Sequence, residues 1–295
     1  MTATVWRLLL TPDRPGTWNM ACDHALAEAA ARGAGPVLRL YGWSPHAVSV
    51  GYAQPLRRLA AAVAALRRRG LDVVRRPTGG GAVLHARELT YSVALPAGRG
   101  RGLRPREACA AIHRALARGL ARLGIEDLQV GGAGAAADAA AAASPGARRA
   151  AICFRALGES EVAWRGRKLV GSAQRRLGAA LLQHGSIPLA GGAEAADALI
   201  ALEDTTPGRA ADAPPGARSP EAPEGDAPGA RVAADLERAA GREISHVDAS
   251  DAVAAGFAAE LGVRFEPAPL APDEEARIAC LVRERYGTEA FLLRV

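Results

Sequence analysis

The spacing of apolar residues in the first quarter of the chain predicts helices alternating with strands. A helix capped by Asn19 is predicted from apolar residues that recur at helical intervals. Its apolar stripe consists of Cys22, Ala25, Leu26 and Ala29. Strand-like runs follow at 36–43 and 46–52. The amphipathic stretch 56–70 predicts a second helix, which Gly70 ends.

The same patterns continue without a regular alternation of strand and helix. Strands are predicted at 71–76 and 88–95, on either side of a run of glycines. A helix from Pro105 to Leu123 is predicted from one apolar face, made of Cys109, Ile112, Leu116 and Leu120. Two more helices are predicted at 247–261 and 272–287. Because βαβ units do not repeat, we expect an α+β fold with a mixed sheet flanked by helices.

Two segments lack the pattern of a folded element. Residues 131–149 are of low complexity, and 206–231 contain six prolines, so both are predicted to be disordered. We expect the rest of 1–295 to form a single catalytic domain, since this length can bury a large core.

Composition narrows the classes of partner. The net charge of +6 favours acidic partners, or it reflects only a high frequency of arginine. The twelve Phe, Trp and Tyr residues form no stacking stripe, so we expect no nucleic-acid partner. No signal peptide or transmembrane stretch is recognisable, and the cysteines and histidines show no metal-ligand spacing. We therefore expect a cytoplasmic protein without membrane contact or bound metal.

The stretch RRPTGGGAVLH (75–85) is the first candidate for chemistry. Consecutive glycines allow backbone amides to approach a phosphate or carbonyl oxygen closely. The stretch matches neither GxxxxGK[ST] nor GxGxxG before a helix. The alternative is an ordinary glycine-rich hairpin.

Cys153 and Lys168 are candidates for a nucleophile and its activator. Cys153 follows the low-complexity segment and is flanked by arginines, which would lower the pKa of its thiol; alternatively it is a core residue of a strand. Lys168 is the only lysine among 37 basic residues and follows a predicted RGR turn at 165–167. It is either a catalytic ammonium beside a thiolate or an exposed lysine. His184 is a general base or a buried histidine with satisfied hydrogen bonds.

The other three cysteines, Cys22, Cys109 and Cys280, are predicted to be small buried apolar residues.

Three blocks together resemble the lipoate-protein ligase A/B superfamily, and within it the octanoyltransferases of the ligase-like branch. They are RRPTGGGAVLH with ELTYS (75–92), GRKLVGSAQRR (166–176) and LQHGSI (182–187). NMACDHAL (19–26) and YGWSPHAVSVGY (41–52) are also similar to that family. The resemblance implies the biotin/lipoyl protein ligase fold, which is related to class II tRNA synthetases.

The resemblance also implies roles for particular residues. It makes Cys153 the residue that carries the acyl thioester and Lys168 the group that lowers its pKa. It implies substrate-binding roles for Arg76, Gly79, Gly80, Gly81, His85, Gly171, Ser172, Ala173, His184 and Gly185. One departure is Ala86, where family members often have an aspartate after the histidine, so a role for that carboxylate is in doubt.

The activity implied is transfer of an octanoyl group from octanoyl-acyl carrier protein to the lipoyl-domain lysine of an acceptor such as glycine-cleavage H protein. No cofactor is expected, because the thioester is already activated. The alternatives are an ATP-dependent lipoate-protein ligase, an octanoyl amidotransferase acting between lipoyl domains, and a non-catalytic acyl- or nucleic-acid-binding protein.

Overall fold

The structure is a computed structural model that describes residues 4–55, 60–97, 104–131, 161–192 and 233–294. Within α2, the side chains of 60–62 are not described. Cys153, the segment 206–231 and 131–149 except Gly131 lie outside the described residues.

The elements of the described residues are as follows, in chain order. The strands are β1 Thr4–Leu10, β2 Val37–Tyr41, β3 Ala47–Val50, β4 Asp72–Arg75, β5 Val83–His85, β6 Glu88–Pro96, β7 Leu128–Val130, β8 Val162–Trp164, β9 Arg167–Lys168, β10 Gly171–Leu177, β11 Ala180–Pro188 and β12 Val263–Pro267. The helices are α1 Gly16–Ala31, α2 Ala60–Arg68, α3 Pro105–Ala121, α4 Leu236–Ala240, α5 His246–Leu261, α6 Pro272–Leu281 and α7 Glu289–Leu292. A π-helical turn, Val282–Tyr286, continues α6.

The central layer is a six-stranded sheet in the order β10-β11-β6-β2-β1-β12. β1 pairs in parallel with β2 and β12, while β2, β6, β11 and β10 pair antiparallel in turn. The predicted mixed sheet is therefore confirmed. Two three-stranded sheets, β4-β3-β5 and β7-β8-β9, flank it.

Alternation along β2 shows how the sheet divides two apolar cores. Leu38 and Leu40 belong to a core shared with α3 and α5, whereas Val37 and Tyr41 belong to one shared with α1 and α6. Because side chains alternate between the two faces of a strand, Arg39 also faces α1. By the register of the strands, polar side chains of β6 and β11 that are aligned with Arg39 and Tyr41 also lie on the α1 face of the sheet.

Most helices begin and end near the predicted positions, but the predicted role of Asn19 is wrong. α1 begins at Gly16, with Pro15 at the N-cap, so Asn19 lies within its first turn. Its amide donates to the carbonyl oxygens of Arg14 and Gly42, at 3.1 Å and 3.0 Å. These bonds tie α1 to the chain that follows β2, which a local capping rule does not consider.

The turn predicted at 165–167 is confirmed. Arg165 and Gly166 have φ of 49° and 75° and connect β8 to the two-residue strand β9. Positive φ at both central residues is the geometry that suits a tight hairpin. In the part of the chain that the structure describes, no helix combines the length and apolar character needed to cross a membrane.

Candidate active site

A pocket lies where the three sequence blocks meet, between the α1 face of the central sheet and the sheet formed by β3, β4 and β5. Seven of the predicted site residues line it: Arg76, His85, Gly171, Ser172, Ala173, His184 and Gly185. They come from β5, β10, β11 and the end of β4. Residues up to 109 positions apart in the sequence thus share one cavity.

The rest of the pocket wall is largely apolar. Met20 of α1, Tyr41 of β2, Trp43 and Val83 contribute side chains that are at most 7% exposed. An apolar wall with a few polar groups at one end is typical of a site for a small, mostly hydrocarbon ligand.

His184 is fixed by hydrogen bonds at both ring nitrogens. Its Nδ1 lies 2.9 Å from Asp23 Oδ2, and its Nε2 lies 2.6 Å from Thr78 Oγ1. Burial lowers the pKa of His184 and outweighs the attraction of Asp23. The neutral ring therefore donates from Nδ1 to the carboxylate and accepts the Thr78 hydroxyl proton at Nε2. Of the two alternatives, this favours the buried histidine with satisfied hydrogen bonds.

Asp23 is a fully buried carboxylate that connects α1 to the sheet. It accepts hydrogen bonds from Arg39 Nη1 at 2.7 Å and from the Tyr41 hydroxyl at 2.9 Å, in addition to His184. Burial by itself would raise the pKa of Asp23, but the Arg39 charge and the His184 contact lower it below its usual value. The sequence analysis did not predict this carboxylate, although it lies in the NMACDHAL stretch.

His85 is held by a second buried carboxylate, Glu88. His85 Nδ1 lies 2.7 Å from Glu88 Oε1, and the same carboxylate accepts hydrogen bonds from Thr90 and from Ser186 Oγ. Burial favours a raised pKa for Glu88, but His85 and the hydroxyl donors lower it. Ser49 Oγ contacts His85 Nε2 at 2.7 Å. Glu88, three residues after His85, thus supplies a carboxylate beside this histidine, and the sequence analysis did not single it out.

Trp43 completes the wall beside His85. The two rings stack with centroids 3.9 Å apart and planes 13° from parallel, and Trp43 Nε1 donates to Thr90 Oγ1 at 2.7 Å. The indole therefore connects the apolar part of the pocket to the His85–Glu88 pair.

The glycine loop, residues 78–81, is not a hairpin turn. β4 and β5 lie on opposite sides of β3 and do not pair with each other, so the alternative of an ordinary glycine-rich hairpin is wrong. The loop approaches Gly51 so closely that a Cβ there would lie 1.9 Å from the Gly80 carbonyl oxygen. A glycine at 51 is therefore required for the loop to take this path.

Arg76 holds the loop by its carbonyl oxygens. Its guanidinium donates to the carbonyls of Gly79 and Gly81, at 2.6 Å and 2.7 Å, and to Ser49. Gly79 and Gly80 are exposed, and Gly79, Gly80 and Gly81 are not among the described residues that line the pocket. Arg76 lines the pocket while its donors are turned to the loop.

Gly185 lets β10 and Tyr91 approach β11. A Cβ at this position would lie 2.5 Å from the Gly171 carbonyl oxygen and 2.6 Å from the Tyr91 ring. On the same side, the Tyr91 hydroxyl lies 2.7 Å from Ser172 Oγ and accepts from Gln183 Nε2 at 3.0 Å. Ser172 is thereby oriented at the pocket wall.

Lys168 lies beside the pocket lining rather than within it. Its ammonium donates to Glu161 Oε1 at 2.7 Å, and its side chain is only 2% exposed, so the alternative of an exposed lysine is wrong. It precedes Gly171, which lines the pocket, by three residues. The Cys153–Lys168 pairing stays a prediction, because Cys153 lies outside the described residues.

The described cysteines differ in burial. Cys22 is fully buried, and burial raises the pKa of its thiol to about 12, as expected of an inert core residue. Cys109 and Cys280 are only partly buried, so the prediction of buried apolar cysteines is wrong for them. Cys109 Sγ lies 3.7 Å from His113 Nδ1, and Cys280 donates to Glu284.

No group of three or more His, Cys, Asp or Glu side chains in the described ranges has an arrangement that could hold a metal ion.

The family model described as "Lipoyl protein ligase A/B catalytic domain" matches residues 15–220. The chain belongs to this family. The recognition made from the three sequence blocks is therefore confirmed.

Two relatives that match this chain over nearly its full length are octanoyltransferases. One, octanoyltransferase LipM of Symbiobacterium thermophilum, is 38% identical over 297 residues, with 99% of each chain covered. Octanoyltransferase LipM of Kyrpidia tusciae is 39% identical, with 96% of this chain and 97% of that one covered. These relatives confirm the expected enzyme class, an acyltransferase.

Solved structures confirm the expected fold. The bi-partite lipoate protein ligase of Thermoplasma acidophilum superposes with a TM-score of 0.70 at 19% identity, covering 98% of this chain and 96% of that chain. A lipoate-protein ligase A bound with ATP gives a TM-score of 0.70 at 19% identity, with 99% of each chain covered.

Proposed function

We propose that this protein transfers an octanoyl group from octanoyl-acyl carrier protein to the lipoyl-domain lysine of an acceptor such as glycine-cleavage H protein, in lipoate biosynthesis. Octanoyl transfer follows from the full-length similarity to octanoyltransferases. What we propose beyond this is the identity of the donor, the identity of the acceptor and the chemical route.

The observation that supports it best is the pocket itself. In this proposal, the octanoyl chain lies against Met20, Tyr41 and Trp43, where its apolar surface leaves water. The thioester end then lies toward Ser172 and Gly185, beside the segment that carries Lys168. The buried carboxylates are bonded to His85 and His184, and the Arg76 guanidinium donates to loop carbonyls, so these polar groups already have partners within the wall.

The route has two half-reactions. The Cys153 thiolate attacks the donor's thioester carbonyl, the carrier leaves as a thiolate that takes a proton from water, and an octanoyl-Cys153 thioester remains. The acceptor's neutral lysine amine then attacks this thioester, the amine gives its proton to water as the amide forms, and Cys153 leaves as thiolate. Lys168 supplies the positive charge that favours the thiolate.

The histidines act as positioning residues in this proposal. His184 has both ring nitrogens bonded, to Asp23 and Thr78, so it orients the loop that carries Thr78. His85 carries the stacked Trp43 ring and so fixes the apolar wall. Neither has to exchange a proton with substrate.

The test is intact-mass spectrometry of the protein incubated with octanoyl-acyl carrier protein in the absence of ATP. Wild type should gain one octanoyl group that hydroxylamine removes and that peptide mapping assigns to Cys153. Cys153→Ser should lack this thioester, Lys168→Ala should form it more slowly, and Cys280→Ser, the matched control, should behave as wild type. Addition of unmodified H protein should then discharge the adduct.

Two other results would each contradict the proposed route. Acceptor modification that requires ATP and survives Cys153→Ser would mean a lipoate-protein ligase. A thioester formed from octanoylated H protein but not from carrier protein would mean an amidotransferase.

A further inference from the structure

Three guanidinium groups lie over two neighbouring aromatic rings, those of Tyr52 and Phe291. The Arg175 and Arg294 guanidinium carbons lie 3.7 Å and 4.2 Å from the centre of the Tyr52 ring. Arg285 lies 4.5 Å and Arg294 5.5 Å from the centre of the Phe291 ring. The ring centres are 6.4 Å apart, so the three side chains form one group, here called the arginine cluster.

The arginine cluster has no compensating carboxylate among the described residues. Arg175 donates to the Pro77 carbonyl and Arg294 to the Tyr52 hydroxyl, at 2.8 Å and 2.7 Å. Arg285 has a buried Nε without a hydrogen-bond partner. Many other arginines of the protein are paired: Arg7 with Glu274, Arg114 with Glu260 and Arg277 with Glu28. Three half-buried, uncompensated positive charges attract an anion.

A fourth arginine makes the cluster rigid. Arg75 is fully buried and donates to the carbonyls of Gly51, Tyr52, Gln54, Phe291 and Leu292. It therefore ties the segment that carries Tyr52 to the segment that carries Phe291. Groups held in place before binding lose little conformational entropy when a ligand arrives.

The cluster adjoins the pocket through the glycine loop. Arg175 lies two residues beyond Ala173, which lines the pocket, a distance of about 7 Å along a strand. The Pro77 carbonyl that it binds precedes the loop, and Tyr52 N donates to the Thr78 carbonyl at 2.8 Å. Thr78 in turn contacts His184 in the pocket wall. A ligand that extends from the pocket over the loop reaches the arginines.

We propose that Arg175, Arg285 and Arg294 bind the phosphate group of the acyl donor. An acyl carrier protein presents its acyl group on a flexible arm that contains a phosphodiester, so this inference rests on the proposed function. Guanidinium groups bind phosphate oxygens with paired, charge-assisted hydrogen bonds, so more than one of the three can bind the two terminal oxygens of the phosphodiester.

The experiment compares two small donors that differ only in phosphate, octanoyl-pantetheine and octanoyl-4′-phosphopantetheine, with H protein as acceptor. Wild type should show a kcat/KM at least about tenfold higher for the phosphorylated donor, as expected for charge-assisted hydrogen bonds. Arg294→Gln and Arg285→Gln should each bring the ratio of the two kcat/KM values toward one. Arg264→Gln, which removes an exposed arginine on β12 at the opposite sheet edge, should keep the wild-type ratio.

Several results would overturn the proposal. Equal kcat/KM for the two donors in wild type contradicts the phosphate site but leaves the proposed function intact. Absence of transfer from every donor contradicts the proposed function. If the variants slow octanoyl-acyl carrier protein but not the phosphorylated small donor, the cluster binds acidic side chains of the carrier. If AMP binds in an Arg294-dependent way and the donors remain equal, the phosphate comes from a nucleotide. Unfolding midpoints of the variants show whether any loss reflects misfolding.

Discussion

At the scale of single residues, the site depends on buried carboxylates that convert two histidines into fixed parts of the wall. Asp23 and Glu88 were not predicted. Asp23 binds His184, which is 161 residues away, and Glu88 binds Ser186 of β11 as well as the nearby His85. The histidines themselves could be predicted, since each lies in a recognisable block. Sequence spacing identified the residues with distinctive chemistry but not the charges that hold them.

Replacement of Asp23 by Asn should be strongly destabilising. The substitution leaves the buried Arg39 guanidinium without its counter-charge, which costs about 3–5 kcal/mol in the free energy of unfolding. Asp127→Asn, which breaks an exposed pair with Arg165, should change it by less than about 1 kcal/mol. Urea titrations of the two variants measure both values, and equal small effects would show that the Arg39–Asp23 pair is energetically unimportant.

His24 should make stability fall on mild acidification. Burial, together with nearby Arg285 and Arg277, lowers its pKa from 6.5 to about 4, although Glu28 opposes the shift. Between pH 6.5 and 4 the unfolded chain therefore binds a proton that the folded protein does not, so stability is present above pH 6.5 and is lost as the pH falls. His24→Gln should reduce the slope by up to about 1.4 kcal/mol per pH unit. Denaturation at several pH values measures the slope, and an unchanged slope would refute the assignment.

At the scale of elements, the sequence predicts the helices and strands that are long and have a periodic apolar pattern. The long helices α3 and α5 and the strand β6 were predicted from the sequence because each carries a clear apolar face. The short strands β7 and β12 and the helix α4 were not, since their conformation follows from pairing or packing with distant residues. The start of α1 was misplaced for the same reason.

The glycine loop is an element whose path depends on a residue outside it. Gly51→Ala would place a methyl group against the Gly80 carbonyl, so it should destabilise the protein by about 1–3 kcal/mol and slow acyl-enzyme formation. Gly35→Ala is the matched control, because a Cβ there meets nothing within 4 Å. Thermal unfolding and the mass-spectrometric assay report the two effects, and wild-type behaviour of Gly51→Ala would mean that the loop relaxes freely.

At the scale of the whole molecule, the arginines fall into two groups that differ in their partners. Some pair with acids at the surface, as Arg114 does with Glu260, whereas those around Tyr52 and Phe291 form no ion pair with any described carboxylate. With a net charge of +6, the protein should attract an acidic carrier.

The kcat/KM for octanoyl-acyl carrier protein should fall as NaCl is raised from low to physiological concentration, since salt screens charges at the surface over about 8–10 Å. The fall should be smaller for octanoyl-pantetheine, which carries no charge on its arm. Initial rates at several salt concentrations measure it. Identical salt dependence for both donors would show that electrostatic attraction of the carrier protein does not contribute to kcat/KM.

The stack of Trp43 on His85 has an optical consequence. Of the four tryptophans, Trp43 is the one that lines the pocket among the residues described, and its indole lies face to face with the His85 imidazole. Any hydrocarbon chain that enters beside it changes the polarity around the ring, on which indole emission depends. The wall of the pocket is therefore also a built-in fluorescent probe, able to time the arrival and departure of the acyl group without a label.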